Sequence, residues 1–518
     1  MHFIDWVILI IYFLLLIGVG LWAYTRVKSS ADFFTAGGKL PWWLSGVSHH
    51  VSGYSGAVFV AYAGVAYTHG FTLYIWWAGG TCIATLFAAF FIAPRWSRLR
   101  EKTGIQSPLE YLVVRYNLPA QQIMAWSGVI IKVFDVGAKW AATAVLLHVF
   151  AGTSYITGIL LAGSVSLIYS TIGGLWADVI NDFAQFMVQL VAGFTMFGII
   201  LHHLGDGFSG VFTMWDRLPE AHSHIFNSPY TFSFVMAIYL IDFFSYSGGT
   251  WHLATRFIST SSGSQARKAA LLSSALYLLW PLILFFPMFA APVFLKNVAD
   301  PTQSYALMAL KFLPAGLVGL VLASLFTNTM SMTSSDSNTI SAVLTRDILP
   351  AIFPGIKSYN KNKTLMLARI TTFSFALLTI IIAINAESFG GVFGLIITWF
   401  APLVGPISIP MILGLLPLFK HSESKSAIIS IIAGILVFII MKSFFHTTLA
   451  LEISAPIIVT LILYVGLGFI FGKSVPEKVT KLVYSLNYDG ISSPPSETLK
   501  SNTPGISDTE ISSVNNKK

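Results

Sequence analysis

Runs of about 20 apolar residues recur along this chain, each long enough to cross the roughly 30 Å hydrocarbon core of a bilayer as a helix. Within lipid every backbone polar group must be satisfied internally, so a chain built of such runs folds as a bundle of spanning helices. Thirteen runs are legible, near residues 3–24, 42–68, 71–94, 121–150, 153–172, 179–203, 232–255, 269–294, 314–345, 366–386, 390–416, 426–445 and 450–472. Composition agrees: 55% of residues are hydrophobic and only 10% charged, against about 25% charged in an ordinary soluble domain. The expectation is an all-α integral membrane protein.

Orientation follows from the basic residues. Of the 30 Lys and Arg, most fall in alternate loops on one side, those holding TRVKSS, RWSRLREK, RFIS to QARK, TRDILP to KNKTLMLAR, KHSESK and the C-terminal tail. The positive-inside rule then places the N-terminus outside and the C-terminus in the cytoplasm of a multi-pass plasma (inner) membrane protein. The net charge of +8 is thereby a topology signal, and nucleic acid is not an expected partner. The first run opens MHFIDW without a basic lead and has no small-x-small cleavage site, so it reads as a retained helix. The single cysteine, Cys82, excludes an intramolecular disulfide. From residue 473 the chain turns to Ser, Pro, Asn and charge, the composition of a disordered tail.

Polarity inside the spans locates the function. GVSHHVSGYSGAVF (46–59) and FFSYSGGTWHLATR (243–256) interrupt the second and seventh runs with glycine and hydroxyl residues. Interruptions at membrane depth are tolerated only where protein or a water-filled cavity satisfies the freed backbone. Two such breaks five helices apart match transporters built from inverted repeats, which bind solute and ions between paired discontinuous helices; close helix packing through small residues is the plainer reading of either alone. A third polar run, TNTMSMTSSDSNTISAVLTRD (327–347), places Asn328, Ser331, Met332 and Ser335 on one helical face. Hydroxyl and carbonyl oxygens suit a hard cation such as sodium.

Charges within spans are few: Asp182, Asp242, Asp336 and the group Lys132, Asp135 and Lys139. Each costs on the order of 2.5–3.5 kcal/mol at a helix centre and is a functional candidate by default. In the lysine group the spacing lets Asp135 pair with both lysines, so structural neutralisation and substrate contact both remain open. His49 and His50 point about 100° apart on a regular helix and cannot share one ligand.

ADFFTAGGKLPWWLSGVS (31–48), IQSPLEYLVVRYN (105–117), YSTIGGLWADVINDFAQ (169–185), ATRFIST and SSDSNTISAVLTRDI, taken in order and spacing, resemble the solute:sodium symporter family over roughly residues 3–472. The resemblance implies a LeuT-like fold: one extra N-terminal helix (1–41), a five-plus-five inverted-repeat core (42–416, repeats about 42–203 and 232–416), two further helices (417–472) and the tail 473–518. It implies secondary active import of a small organic solute by alternating access, with sodium as coupling ion and no organic cofactor. The sodium would meet the carbonyls of Val51, Tyr54 and Asn328 and the side chain of Ser331, and Asp182 matches an acidic residue at an additional ion site or on the release path of some members. Met332 stands where a second hydroxyl is usual, which leaves proton-coupled transport, uncoupled transport or a transporter-fold sensor as alternatives.

The implied solute contacts are His50, Ser55, Val58, Trp77, Asp135, Phe243, Tyr246, Tyr277 and Thr398, with Tyr246 covering the solute from the inner side. A hexose would leave its hydroxyls unpaired against so many apolar side chains, at roughly 1–3 kcal/mol each. Asp135 stands where the sialic-acid branch places an arginine, which argues against that acid. The expected partners are a small solute and membrane lipid, with no obligate protein partner evident. No HExxH or GxSxG motif is present, so no enzyme is expected.

Overall fold

The computed structural model describes residues 2–489 apart from 390, 445, 446 and 473; the side chains of 169, 172, 327, 393, 397–399 and 401 are also outside the described residues. Among the described residues, nine helices are long and apolar enough to cross a membrane, or ten if the bent pair Leu118–Ala151 and Tyr155–Ile168 counts as one. The thirteen expected spans are not matched one for one. The second run is two short helices separated by a break, the eleventh is a π-helical turn followed by a short helix, and the fourth and fifth meet at a 116° bend. Glycine, serine and proline interrupt the intrahelical hydrogen bonds at those places.

The extra helix α1 is Phe3–Tyr24. The first repeat begins with α2 (Trp42–Val51) and, beyond the break, α3 (Ala61–His69). The π-helical turn Tyr74–Gly79 leads into α4 (Gly80–Phe91), and the half is completed by α5 (Leu118–Ala151) and the long α6 (Tyr155–Leu204), kinked at Gly174. The second repeat begins likewise with α7 (Phe232–Phe244), a π-helical turn Ser245–Gly249 and α8 (His252–Ile258). It continues through α9 (Gly263–Leu284), α10 (Leu317–Val343), α11 (Lys361–Ile384) and α12 (Ala401–Leu413); α13 (Ser424–Phe444) and α14 (Leu449–Phe471) follow.

α10 is buried on almost every side, with Asn328, Ser331, Ser335 and Asp336 all at 1% exposure or less. A helix this polar is stable at the centre of a membrane protein only if its hydroxyls and carboxylate find partners. The flanking α1, α6 and α11 supply the apolar packing, with Leu9, Tyr12 and Leu16 turned inward and Ile10, Leu14 and Leu15 outward.

The tail begins later than its composition suggests. Residues 477–485 form α15 (Glu477–Ser485), whose Val483, like the following Leu486, is fully buried. Arg98 bonds Asp489 at 2.7 Å and the Leu486 carbonyl at 2.9 Å. The apolar positions of VTKLVYSL fall on one helical face, a periodicity masked by the surrounding charge. Residues 490–518 lie outside the described residues.

Candidate functional site

The two breaks face one another. α2 stops at Val51, and the carbonyls freed around its end are taken by the second repeat: Tyr277 Oη donates to His49 O (2.9 Å), His252 Nε2 bonds Ser52 O (3.0 Å) and Tyr246 Oη donates to Gly53 O (2.8 Å). Gly53 is required by this approach, because a Cβ there would lie 1.7 Å from Tyr277 Oη. In the second break Gly248 adopts φ 112° and Trp251 φ 67°, a left-handed conformation that costs a non-glycine residue about 1–3 kcal/mol. The indole of Trp251 is held in place over Gly128 of α5, whose Cβ would meet it at 2.1 Å.

Between the breaks lies a cavity of about 100 Å³. Its wall combines Gly53, Tyr62, Trp76 and Trp77 from the first repeat with Ile238, Ile241, Asp242, Ser245, Tyr246, Thr250, His252, Leu253, Met332, Ile396 and Phe400 from the second. Of the solute contacts expected from the sequence, Trp77 and Tyr246 line it. His50, Ser55, Val58, Asp135, Phe243 and Tyr277 do not line it. His50 sits behind it, bonded to Tyr54 Oη at 3.2 Å and packed on Tyr277. Ser55 accepts the Ala57 N–H and caps the short turn that buries Val58. Phe243 turns the other way, 4.6 Å from the ring of Phe87. Tyr277 backs Tyr246 from a second layer, with ring centroids 5.3 Å apart. Thr398 lies outside the described residues. His49 faces away from His50, bonding Ser273 at 2.7 Å and stacking on Phe257.

Beside the cavity, toward the side of the basic loops, is a fully buried ion cluster. Ser331 and Ser48 donate to Asp182, and Ser52 donates to it at 3.2 Å. Ser334 donates to Asp178, as does Ser335 at 2.7 Å. Arg256 of α8 bonds Asp178 (2.6 Å), Asp182 (3.2 Å), Ser52 and Ser48 (3.0 Å each) and Ser335. Arg256 reads as part of a basic loop in the sequence, but it is fully buried. With both carboxylates ionised the trio has a formal charge of −1. Met332 does not join it; its side chain turns to the cavity. Tyr54 sends its hydroxyl to Gln189 (3.1 Å), and Asn328 donates its amide to Ser324 O (3.3 Å).

A second cluster adjoins the first along α10, where Asp336 follows Ser335. Asp135 pairs with Lys132 at 2.7 Å and with Lys139 at 2.9 Å, and Asp336 pairs with the same lysines at 2.7 and 2.5 Å. His252 Nδ1 meets Asp336 at 2.8 Å. Two lysines against two carboxylates sum to zero, which favours a structural reading of Asp135 over direct contact with solute.

Asp178, Arg256, His252, Tyr62, Trp76 and Phe400 were not singled out from the sequence, and Asp242 was marked only as an intramembrane charge. For Asp178 a signal existed, since it precedes Asp182 by four residues and so shares its helix face. The aromatic wall had none, because Tyr62, Trp76 and Phe400 come from three separated segments.

Paired broken helices around a cavity and a buried polar cluster define a secondary transporter of the inverted-repeat class. The family model for "Sodium:solute symporter family" matches residues 33–434, and the chain belongs to that family. It is 26% identical to a sodium/glucose cotransporter of Vibrio parahaemolyticus over 84% of each chain. It is also 24% identical to the sodium/sialic acid symporter NanT of Aliivibrio fischeri, over 83% of this chain and 86% of the relative. The fold matches that of a Na+-coupled sialic acid symporter in a substrate-bound outward-open state with a TM-score of 0.79 at 20% identity, covering 91% of this chain and 98% of the other. Sodium-coupled secondary transport of a small solute is therefore its activity.

Proposed function

We propose that the cavity between the breaks is the solute site, and that sodium binds at the adjoining oxygen cluster. Ser331 and Asp182 would contribute side-chain oxygens, and Val51, Tyr54 and Asn328 their carbonyls. The observation that carries this is the make-up of the cluster: two buried carboxylates, Asp178 and Asp182, face the one guanidinium of Arg256, so that with both ionised one negative charge is left for a bound cation to neutralise. The second hydroxyl lost at Met332 is compensated by the hydroxyls of Ser48, Ser52 and Ser335 around the same carboxylates.

Arg256 also acts as the inner gate. It ties α8 of the moving broken-helix pair to Asp178 and Asp182 of α6 and to Ser335 of α10, closing the basic-loop side. Opening that side requires these bonds to exchange for water, which frees the sodium and the solute together. The core spans 42–416, with the N-terminus outside and the basic loops in the cytoplasm of the plasma membrane. One sodium driven by 100 mV and a tenfold gradient supplies about 3.7 kcal/mol, enough for roughly 500-fold accumulation of a neutral solute.

The test is thermal stabilisation of the purified protein by a solute panel, in sodium and again in potassium, followed by uptake of each hit into proteoliposomes. Stabilisation that requires sodium, and that weakens in Trp77→Ala and Tyr246→Ala, supports the reading. Uptake indifferent to an imposed sodium gradient overturns it.

A further inference from the structure

Asp242 is the cavity's unexplained group. It lies in the last turn of α7, is 8% exposed and lines the cavity. Its Oδ2 has no hydrogen-bond partner among the described residues. It is packed against the backbone of α4, where a Cβ on Gly80 would lie 2.5 Å from Oδ2. The other intramembrane carboxylates each have partners: Asp178 and Asp182 share Arg256, and Asp135 and Asp336 share two lysines. A buried carboxyl with a bare oxygen is costly to ionise unless a cation entering the cavity offsets its charge.

The rest of the wall indicates what that is. Tyr62, Trp76, Trp77, Tyr246 and Phe400 present aromatic rings around the same space. Ring faces attract cations, and a desolvated cation over Trp or Tyr gains about 2 kcal/mol or more. Among the described residues no lysine or arginine lines the cavity, so an anion finds no fixed positive charge there. Sodium, which seeks several oxygens at once, is better served by the hydroxyl-rich cluster around Asp182.

Resting on the reading of this cavity as the solute site, we propose that the transported solute is a small organic cation, a protonated or quaternary amine, with Asp242 as its counter-ion and the five rings as its cage. The volume of about 100 Å³ holds about seven to ten water-sized groups at 10–15 Å³ each. Ser245 and Thr250 also line the cavity and supply hydroxyls for one polar substituent.

The experiment uses the purified full chain in sodium, with binding read by thermal shift and calorimetry. The probes are alkylammonium ions of two to six carbons and tetramethylammonium, each against the alcohol or alkane of the same shape and the matching carboxylate. At least one ammonium ion is expected to bind at least 30-fold more tightly than its neutral isostere. Asp242→Asn is expected to lose that binding by a similar factor while keeping the parent's stabilisation by sodium, which shows the fold and ion cluster intact. Alcohols binding as tightly as ammonium ions on the unaltered chain overturn the proposal without any variant, as does ammonium binding that survives Asp242→Asn. If a neutral or anionic probe binds and is lost in Trp77→Ala, the cavity stands as the solute site and only the amine class falls. If ammonium binding is insensitive to both Trp77→Ala and Asp242→Asn, the site itself is wrong.

Discussion

Replacing Asp182 with asparagine tests the ion cluster most directly. The carboxylate receives Ser48, Ser52 and Ser331 hydroxyls and lies 3.2 Å from the Arg256 guanidinium, fully buried. Asparagine keeps the shape and one acceptor oxygen but changes the formal charge of the Asp178, Asp182 and Arg256 trio from −1 to 0. A sodium ion about 4 Å from that charge gains about 4 kcal/mol at an effective dielectric of 20. With part of this retained by the amide oxygen, the variant should lose about 3 kcal/mol of sodium affinity, more than a hundredfold. The assay is the melting temperature as sodium replaces potassium at constant ionic strength. At sodium 100 times its dissociation constant the parent gains about 2.7 kcal/mol, and the variant at the same concentration about 0.3. In potassium the two should melt alike, because Arg256 keeps its 2.6 Å partner Asp178. An unchanged sodium response refutes the assignment, and so does an equal loss of stability in both salts, which marks Asp182 as a structural acceptor only.

Gly53→Ala should destabilise by about 1–3 kcal/mol through overpacking against Tyr277; adding Tyr277→Phe, which removes the clashing hydroxyl, should recover more than half in a melting experiment. Asp135→Asn leaves a formal +1 among Lys132, Lys139 and Asp336 and should cost about 3–5 kcal/mol, whereas Asp135→Asn with Lys139→Met restores neutrality and should regain at least half. Equal melting of single and double variants would show that charge balance is not what holds this cluster. Ending the chain after Val475 removes the fully buried Val483 and Leu486, each worth about 1.5–3 kcal/mol; a truncated protein that melts with the full chain would refute the docking of α15.

The amino-acid sequence by itself determined the solvent. Apolar runs of bilayer length forced helices, and the two polar interruptions five helices apart marked where those helices break, because both signals are local and repeat with the chain. The pairing of Asp135 with its lysines was legible for the same reason, being set by spacing within one helix. Tertiary structure alone decided which side chains meet. Arg256 looked like a loop cation until packing enclosed it between Asp178 and Asp182. Met332 and Ser331 are neighbours in sequence yet turn to different sites, one to the cavity and one to the carboxylate. Asp242 became distinctive only when its Oδ2 proved to have no hydrogen-bond partner among the described residues. Such pairings join residues up to 392 positions apart, as in Arg95 and Asn487, and no periodicity along the chain encodes them. They arise because a membrane interior penalises each unmatched charge, and only the folded arrangement shows which charges have been matched.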